Sequence, residues 1–265
     1  MSLSMSSSIS SPWSADLSEH KRPCLDRDDA PSATTYVLNR LRADILSAYF
    51  APGAKLPLKT LIDRYRTSVV PIREALAVLC GAGLAVSECQ RGFRVAAASR
   101  EDFTDVAEMR KRLETLALRM SIERADADWE KEVKEALEKL ARISQKVGQD
   151  GPISDEWELL HRQFHFALIA RCGSRTLLDF CFQLYDRYDR YRRLALPSKS
   201  YMAGVAADND EIVAAAVGRR NDLAVALLEH HIDAMTEVIL EVTRAVPGRF
   251  MGPAIYASDV RHFRA

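Results

Sequence analysis

No uninterrupted run of eighteen apolar residues occurs in the chain, so a membrane-spanning helix is not expected. Aromatic side chains are few, at 8%. The opening residues 1–33 are rich in Ser, Pro and charge and lack an apolar core. They read as a disordered leader rather than a signal peptide. The five cysteines form no C-x-x-C pair. This argues against a zinc ribbon or a disulfide framework and suits a reducing, cytoplasmic setting. Cys80 and Cys172 read as small core residues. No H-E-x-x-H, G-x-S-x-G or phosphate-binding glycine loop is found, and Gly81-Ala82-Gly83 reads as a helix end. A hydrolase or dioxygenase therefore has little support. No internal repeat is visible.

Net charge is also missing, with 37 basic and 37 acidic side chains. The balance is uneven along the chain. Residues 34–98 hold nine basic side chains against four acidic ones, a surplus of +5 that leaves −5 for the rest. A basic segment joined to an acidic one suits phosphate attraction by the first alone. With 48% apolar residues in a chain of 265, one large or two modest packed domains are expected.

The stretch Lys59 to Val95 carries the strongest local pattern. Leu58, Leu61, Ile62 and Tyr65 make a short amphipathic run that stops at Thr67-Ser68. A second run starts at once, with Pro71 in its first turn and Ile72, Ala75, Leu76 and Leu79 at helical spacing. Proline is tolerated where the helical amides have no partner to lose. Two β-like runs, Leu84–Ser87 and Phe93–Ala96, follow around a polar corner. Thr34–Tyr49 reads as a preceding helix closed by Pro52-Gly53. Together these predict a winged helix-turn-helix over residues 34–98.

Leu56-Pro57, Ser68, Pro71, Arg73-Glu74-Ala75-Leu76, Leu79, Gly83-Leu84 and Arg91-Gly92 resemble the DNA-binding domain of GntR-type bacterial transcription regulators. The resemblance implies double-stranded DNA as partner. Arg73 would contact phosphate or fork onto guanine, and Lys59 would reach a phosphate. Ser68 would cap the helix or bond a phosphate. Arg91-Gly92 would form the wing tip, while Arg66 and Arg94 read as solvated charges. The family usually carries an arginine after Ser68, and here that position is Val69. One base-reading fork is gone, so the operator sequence is not predictable.

Beyond Ala98 the pattern becomes nearly continuous helix. Ser99-Arg100-Glu101-Asp102 opens it with a capping-box-like signal. Further helices are predicted over Asp128–Val147, Ser154–Ala170, Arg175–Leu196, Ala203–Val217 and Asn221–Arg244, with Gly148–Pro152 as a loop and Gly173 as a break. Six helices with short connections predict an antiparallel bundle over residues 99–246. Residues 247–265 form a tail with no clear pattern. The fold class is thus mainly α. The alternating Tyr185–Arg192 run, YDRYDRYR, reads mostly as a solvated, salt-bridged helix face with one side chain turned inward.

Arg110-x-x-Leu113-Glu114, Phe164-His165, Cys172-Gly173-Ser174 and Leu177-Leu178 recur in this half, with Asp222, Ala224 and His231 later. They resemble the helical FCD effector domain of the FadR subfamily, and residues 155–174 resemble its CsiR-type branch. The resemblance implies a homodimer, a central ligand cavity and, often, a divalent metal held by one Asp and three His. Those positions fall on His161, His165, Asn209 and His231, so two of four differ. His161 and His165, at i and i+4, share a helix face. They could grip a divalent transition metal such as zinc or nickel, or form a hydrogen-bonded core pair. Arg110 could clamp a small carboxylate effector, or pair on the surface with Glu114. The expected function is a ligand-responsive repressor acting on an inverted-repeat operator, with the metal ion itself as an alternative effector.

Overall fold

The computed structural model describes residues 30–146, 154–195 and 205–245. The expected leader up to residue 29, the Gly148–Pro152 loop, Pro197, and the 247–265 tail lie outside the described residues.

The N-terminal unit consists of α1 (Ala33–Leu46), α2 (Leu58–Tyr65), α3 (Val69–Gly81), β1 (Ala85–Glu88) and β2 (Gly92–Val95). Ser32 caps α1, accepting from the Thr35 amide at 3.1 Å. The helix stops at Leu46, short of the expected Tyr49, because Ala48 takes a left-handed φ of 60°. Val37, Leu41, Ile45, Leu61, Tyr65, Ile72, Leu76, Leu79 and Leu84 form one buried core. Arg66, in a left-handed conformation, turns the chain from α2 into α3. A Schellman pair ends α3: the Leu84 amide reaches Leu79 O at 2.9 Å, and the Gly83 amide reaches Cys80 O at 3.1 Å. Gly83 has φ 72°, which glycine adopts cheaply.

The hairpin pairs Ala85 with Val95 and Glu88 with Gly92, antiparallel. Its strands sit one residue from the expected positions. Residues 89–91 close the corner as a three-residue loop, with positive φ at Gln90 and at the adjoining Gly92. The Leu56 amide donates to Phe93 O at 2.8 Å, which covers the outer edge of β2. Arg94 is not a solvated charge. It holds Glu88 at 2.8 Å and Gly53 O at 3.1 Å, tying the wing to the loop after α1.

The second unit is an antiparallel bundle of α4 (Arg100–Glu123), α5 (Ala127–Lys146), α6 (Asp155–Ile169), α7 (Arg175–Ala195), α8 (Val205–Val217) and α9 (Asn221–Ala245). Ser99 and Ser154 cap α4 and α6 through the amides of Asp102 and Trp157. Helix α5 turns Trp129, Val133, Leu140 and Ile143 inward. Trp129 also donates to Ala167 O at 2.9 Å, so its indole brings no unpaired donor into the core. Phe103 lies between Tyr188 and Tyr191, with ring centroids 5.3 and 5.0 Å away. Helix α4 packs on α7 and α9, α5 on α6, and α8 on α9.

Helix α7 corrects the expectation of a solvated face. Tyr185, Asp186, Tyr188, Asp189, Arg190, Tyr191 and Arg192 are all buried. The helix packs against α4, α9 and α1, and from Tyr185 onward little of its circumference meets water. Charge survives there because each group is paired. Arg190 donates to the carbonyls of Ala96 and Ala97 at 2.9 and 3.0 Å. Arg187 and Tyr191 both hold Asp102, each at 2.5 Å.

Candidate functional site

Two places carry chemistry. The first is the exposed side of the N-terminal unit. Ser68 precedes α3, and its side chain makes no capping bond. An N-cap hydroxyl reaches for the amide of N2 or N3, and N3 here is Pro71, which has none. Ser68, Val69, Val70, Arg73 and Glu74 are exposed in succession along the start of α3. Lys59 on α2 and Arg91-Gly92 at the hairpin tip are exposed as well.

The second place is inside the bundle. His161 and His165 on α6 and His231 on α9 are buried, and a ligand nitrogen of each lies within 4.8 Å of the others. The Nε2 atoms of His161 and His165 are 3.2 Å apart. His161 Nδ1 is 2.8 Å from the Tyr185 hydroxyl, and its ring stacks on Trp157 at 4.6 Å. His165 Nδ1 lies 3.9 Å from Glu114 Oε2. His231 Nδ1 and Asn209 Oδ1 are buried with no hydrogen-bond partner among the described residues. Asp208 Oδ2 lies 3.7 Å from His231 Nδ1. His230, the next residue, is exposed.

Burial above all keeps the three imidazoles neutral. His165 is pushed well below its ordinary value by burial and then by its histidine and arginine neighbours. His161 is lowered by burial and by Arg192. Burial, with Arg110 nearby, brings His231 down to about 3. Their nitrogen lone pairs therefore stay available near neutral pH.

Arg110 is buried and forks onto Glu114 at 2.7 and 3.2 Å. Its guanidinium also lies over Tyr188 and Tyr185, 4.4 and 4.7 Å from the ring centres. The pair with Glu114 exists, yet it is inside the bundle and not on the surface. Burial opposes the arginine's charge, but the Glu114 carboxylate outweighs it and holds the group firmly protonated. On the far side of His161, Arg192 is bound by both Glu158 and Asp189.

A third arrangement joins the two units. The Asp186 carboxylate accepts from Arg162 of α6 and from Arg42 of α1. Burial would raise its pKa, but the two guanidiniums more than cancel that and leave it below the ordinary value. Arg162 follows His161 in sequence, and Asp186 follows Tyr185. Nearby, the Arg187 side chain passes 3.2 Å from where a Cβ on Gly83 would stand. Gly83 thus serves both the end of α3 and the close approach of α7.

Residues 34–95 match the family described as bacterial regulatory proteins, gntR family, and residues 105–234 match the FCD domain. The regulator BphR of Paraburkholderia xenovorans is 34% identical over 202 residues, covering 76% of this chain and 82% of BphR. The repressor GlaR of Escherichia coli is 31% identical over 196 residues, covering 72% of this chain and 89% of GlaR. The chain belongs to the GntR family. Its fold resembles that of E. coli McbR, with a TM-score of 0.67 at 21% identity, covering 82% of this chain and 99% of McbR.

This GntR-type, FCD-containing chain is a transcription regulator and not an enzyme, as its matched relatives are regulators. No helix among the described residues is long and apolar enough to cross a membrane. The fold gathers His161, His165, His231, Arg110 and Glu114 into one region, and buries Asn209. Sequence reasoning missed Tyr185, Asp186, Arg192, Glu158 and Arg162. The three tyrosines at three-residue spacing, 185, 188 and 191, were the available signal, since i and i+3 share a helix face.

Proposed function

We propose that this protein is a homodimeric, ligand-responsive repressor. Residues 34–98 bind DNA, and residues 99–246 bind the effector and dimerise. The observation that supports a response is the shared carboxylate of Asp186. It ties α1 of the DNA-binding unit to the two residues, Arg162 and Asp186, that directly follow site residues His161 and Tyr185. A ligand alters DNA affinity only through the difference in its affinity for two arrangements. A change at His161 or Tyr185 reaches this junction through adjacent backbone.

The side chains fit a divalent transition metal. Glu114 near Nδ1 of His165 suits a hydrogen on that atom, leaving its Nε2 lone pair free, while the Tyr185 hydroxyl at Nδ1 of His161 can donate or accept. The two Nε2 atoms lie 3.2 Å apart: with Tyr185 accepting, both lone pairs face one another and suit a shared cation, and with Tyr185 donating, His161 donates to His165 instead. Two nitrogens on a tetrahedral zinc stand ~3.3 Å apart. His161, His165 and His231 would hold the ion, with the Asn209 carbonyl, which has no hydrogen-bond partner among the described residues, completing the set. A bound ion would supply a Lewis-acidic centre for an anionic effector. All four residues are uncharged, so a small carboxylate would supply the missing negative charge. Arg110 and Glu114 would orient that ligand and the His165 ring.

A second reading takes the metal ion itself as effector. It is favoured by the Arg110 fork, which Glu114 already fills. The test is in vitro selection of DNA with the full chain, followed by mobility shifts with chelator, with zinc or nickel, and with metal plus small dicarboxylates. Release of DNA only with the organic acid supports the first reading. Release by metal alone supports the second. No selected sequence would remove both.

A further inference from the structure

The structure points to how the operator is read, and this rests on the DNA-binding reading above. We infer that Val69 and Val70 recognise thymine C5-methyl groups in the major groove, beside the base or phosphate contacted by Arg73.

Helix α3 divides cleanly. Ile72, Ala75, Leu76 and Leu79 are buried in the N-terminal core. Val69 and Val70 do not join them, being 40% and 58% exposed. They are the first two residues of the helix, at the end that a recognition helix presents to base edges. Two adjacent exposed β-branched residues do nothing for the helix itself, since valine is a weaker helix former than alanine. Nor do they serve the core. Their isopropyl groups can neither donate nor accept a hydrogen bond.

The chemistry of the groove then restricts the choice. Among base edges there, only thymine presents a methyl group. Adenine, guanine and cytosine present polar atoms, and a valine against those removes water without replacing its hydrogen bonds. The neighbours narrow the reading further. Glu74, on the same face, accepts from the Thr34 hydroxyl at 2.6 Å. Pro71 offers no amide. Direct polar readout from the first turns of α3 rests on Arg73, with Ser68 free for phosphate.

The full chain would be used to select a duplex from random DNA. Each thymine of the selected half-site would then be replaced singly by deoxyuridine, which removes only the methyl group. The half-site should contain thymine within about two base pairs of an Arg73-contacted position. Each contacted methyl lost should weaken binding roughly fourfold, the worth of one buried carbon. Val69→Ala or Val70→Ala should abolish the uridine penalty at its own thymine, whereas Arg73→Ala should retain it. These alanine variants exchange exposed groups for a better helix former, so folding is preserved. Uridine tolerated at every thymine, or a penalty unchanged in both valine variants, would overturn the inference while leaving DNA binding intact. Failure to select any sequence would instead overturn the DNA-binding reading.

Discussion

Pro71 has no amide hydrogen, and that missing atom leaves the Ser68 hydroxyl without the donor it would otherwise take from N3. The sequence allows Ser68 either to cap the helix or to bond a phosphate, and the structure shows no capping bond. Arg73, exposed on the same face, should weaken operator binding by about 1–3 kcal/mol when changed to alanine, if it forks onto a base. Titration of the selected duplex at physiological salt checks this, and unchanged affinity would remove Arg73 from the interface. In the bundle, His165→Ala should lower both bound metal per protomer, by mass spectrometry, and the melting temperature. If neither moves, the histidines hold no metal. Acid should act through the same residues. Their folded pKa values lie below 6.5, so the unfolded chain binds more protons below that pH. Stability is therefore present above pH 6.5 and lost as pH falls through it. Between pH 7.5 and 5.5 the loss should be about 1 kcal/mol per buried neutral histidine. Denaturant titrations with chelator present measure it, and a flat profile would contradict the neutral cluster.

Among the elements, α7 is where the sequence was hardest to read. Capped helices such as α4 and α6 were legible, because a serine cap is a local signal. The hairpin was legible from its polar corner. The Tyr185–Arg192 run was not, because alternating charge looks solvated until the partners are known. Those partners, Arg42, Arg162, Glu158 and the Ala96 and Ala97 carbonyls, lie far off in sequence. Periodicity cannot see them. The Asp186→Asn variant should cost about 1–3 kcal/mol in stability by leaving two guanidiniums facing a neutral amide. It should also reduce the ligand-dependent change in DNA affinity while keeping DNA binding itself. Mobility shifts with and without effector would show this, and an undiminished response would mean that coupling runs elsewhere.

For the molecule as a whole, the uneven charge of the sequence maps onto two separate cores. A neutral protein can still attract DNA from one end. Lys59→Ala should weaken binding to all duplexes alike and reduce the salt slope by about one ion. A slope that stays the same would place Lys59 away from phosphate. Domain order and fold class were legible because both halves carry motifs and helical periodicity. The candidate metal set was legible only in part, since carrying over a pattern cannot say whether His161 and Asn209 converge with the rest. The structure answers for the three histidines.

Helix α7 supplies Tyr185 to the histidine centre and Asp186 to the junction with α1. On the ligand-responsive reading proposed above, sensing and response would be written into neighbouring letters of one segment. Such a protein is hard to rewire by parts. A chimera that exchanged the ligand pocket but cut within α7 would separate the reader of the ligand from the contact it must move. Cuts placed before Arg100 would carry the pocket and its lever together, but would have to bring a matching Arg42 and a glycine at position 83. On that reading, a change of effector preference and a change of domain docking would be bound to one another.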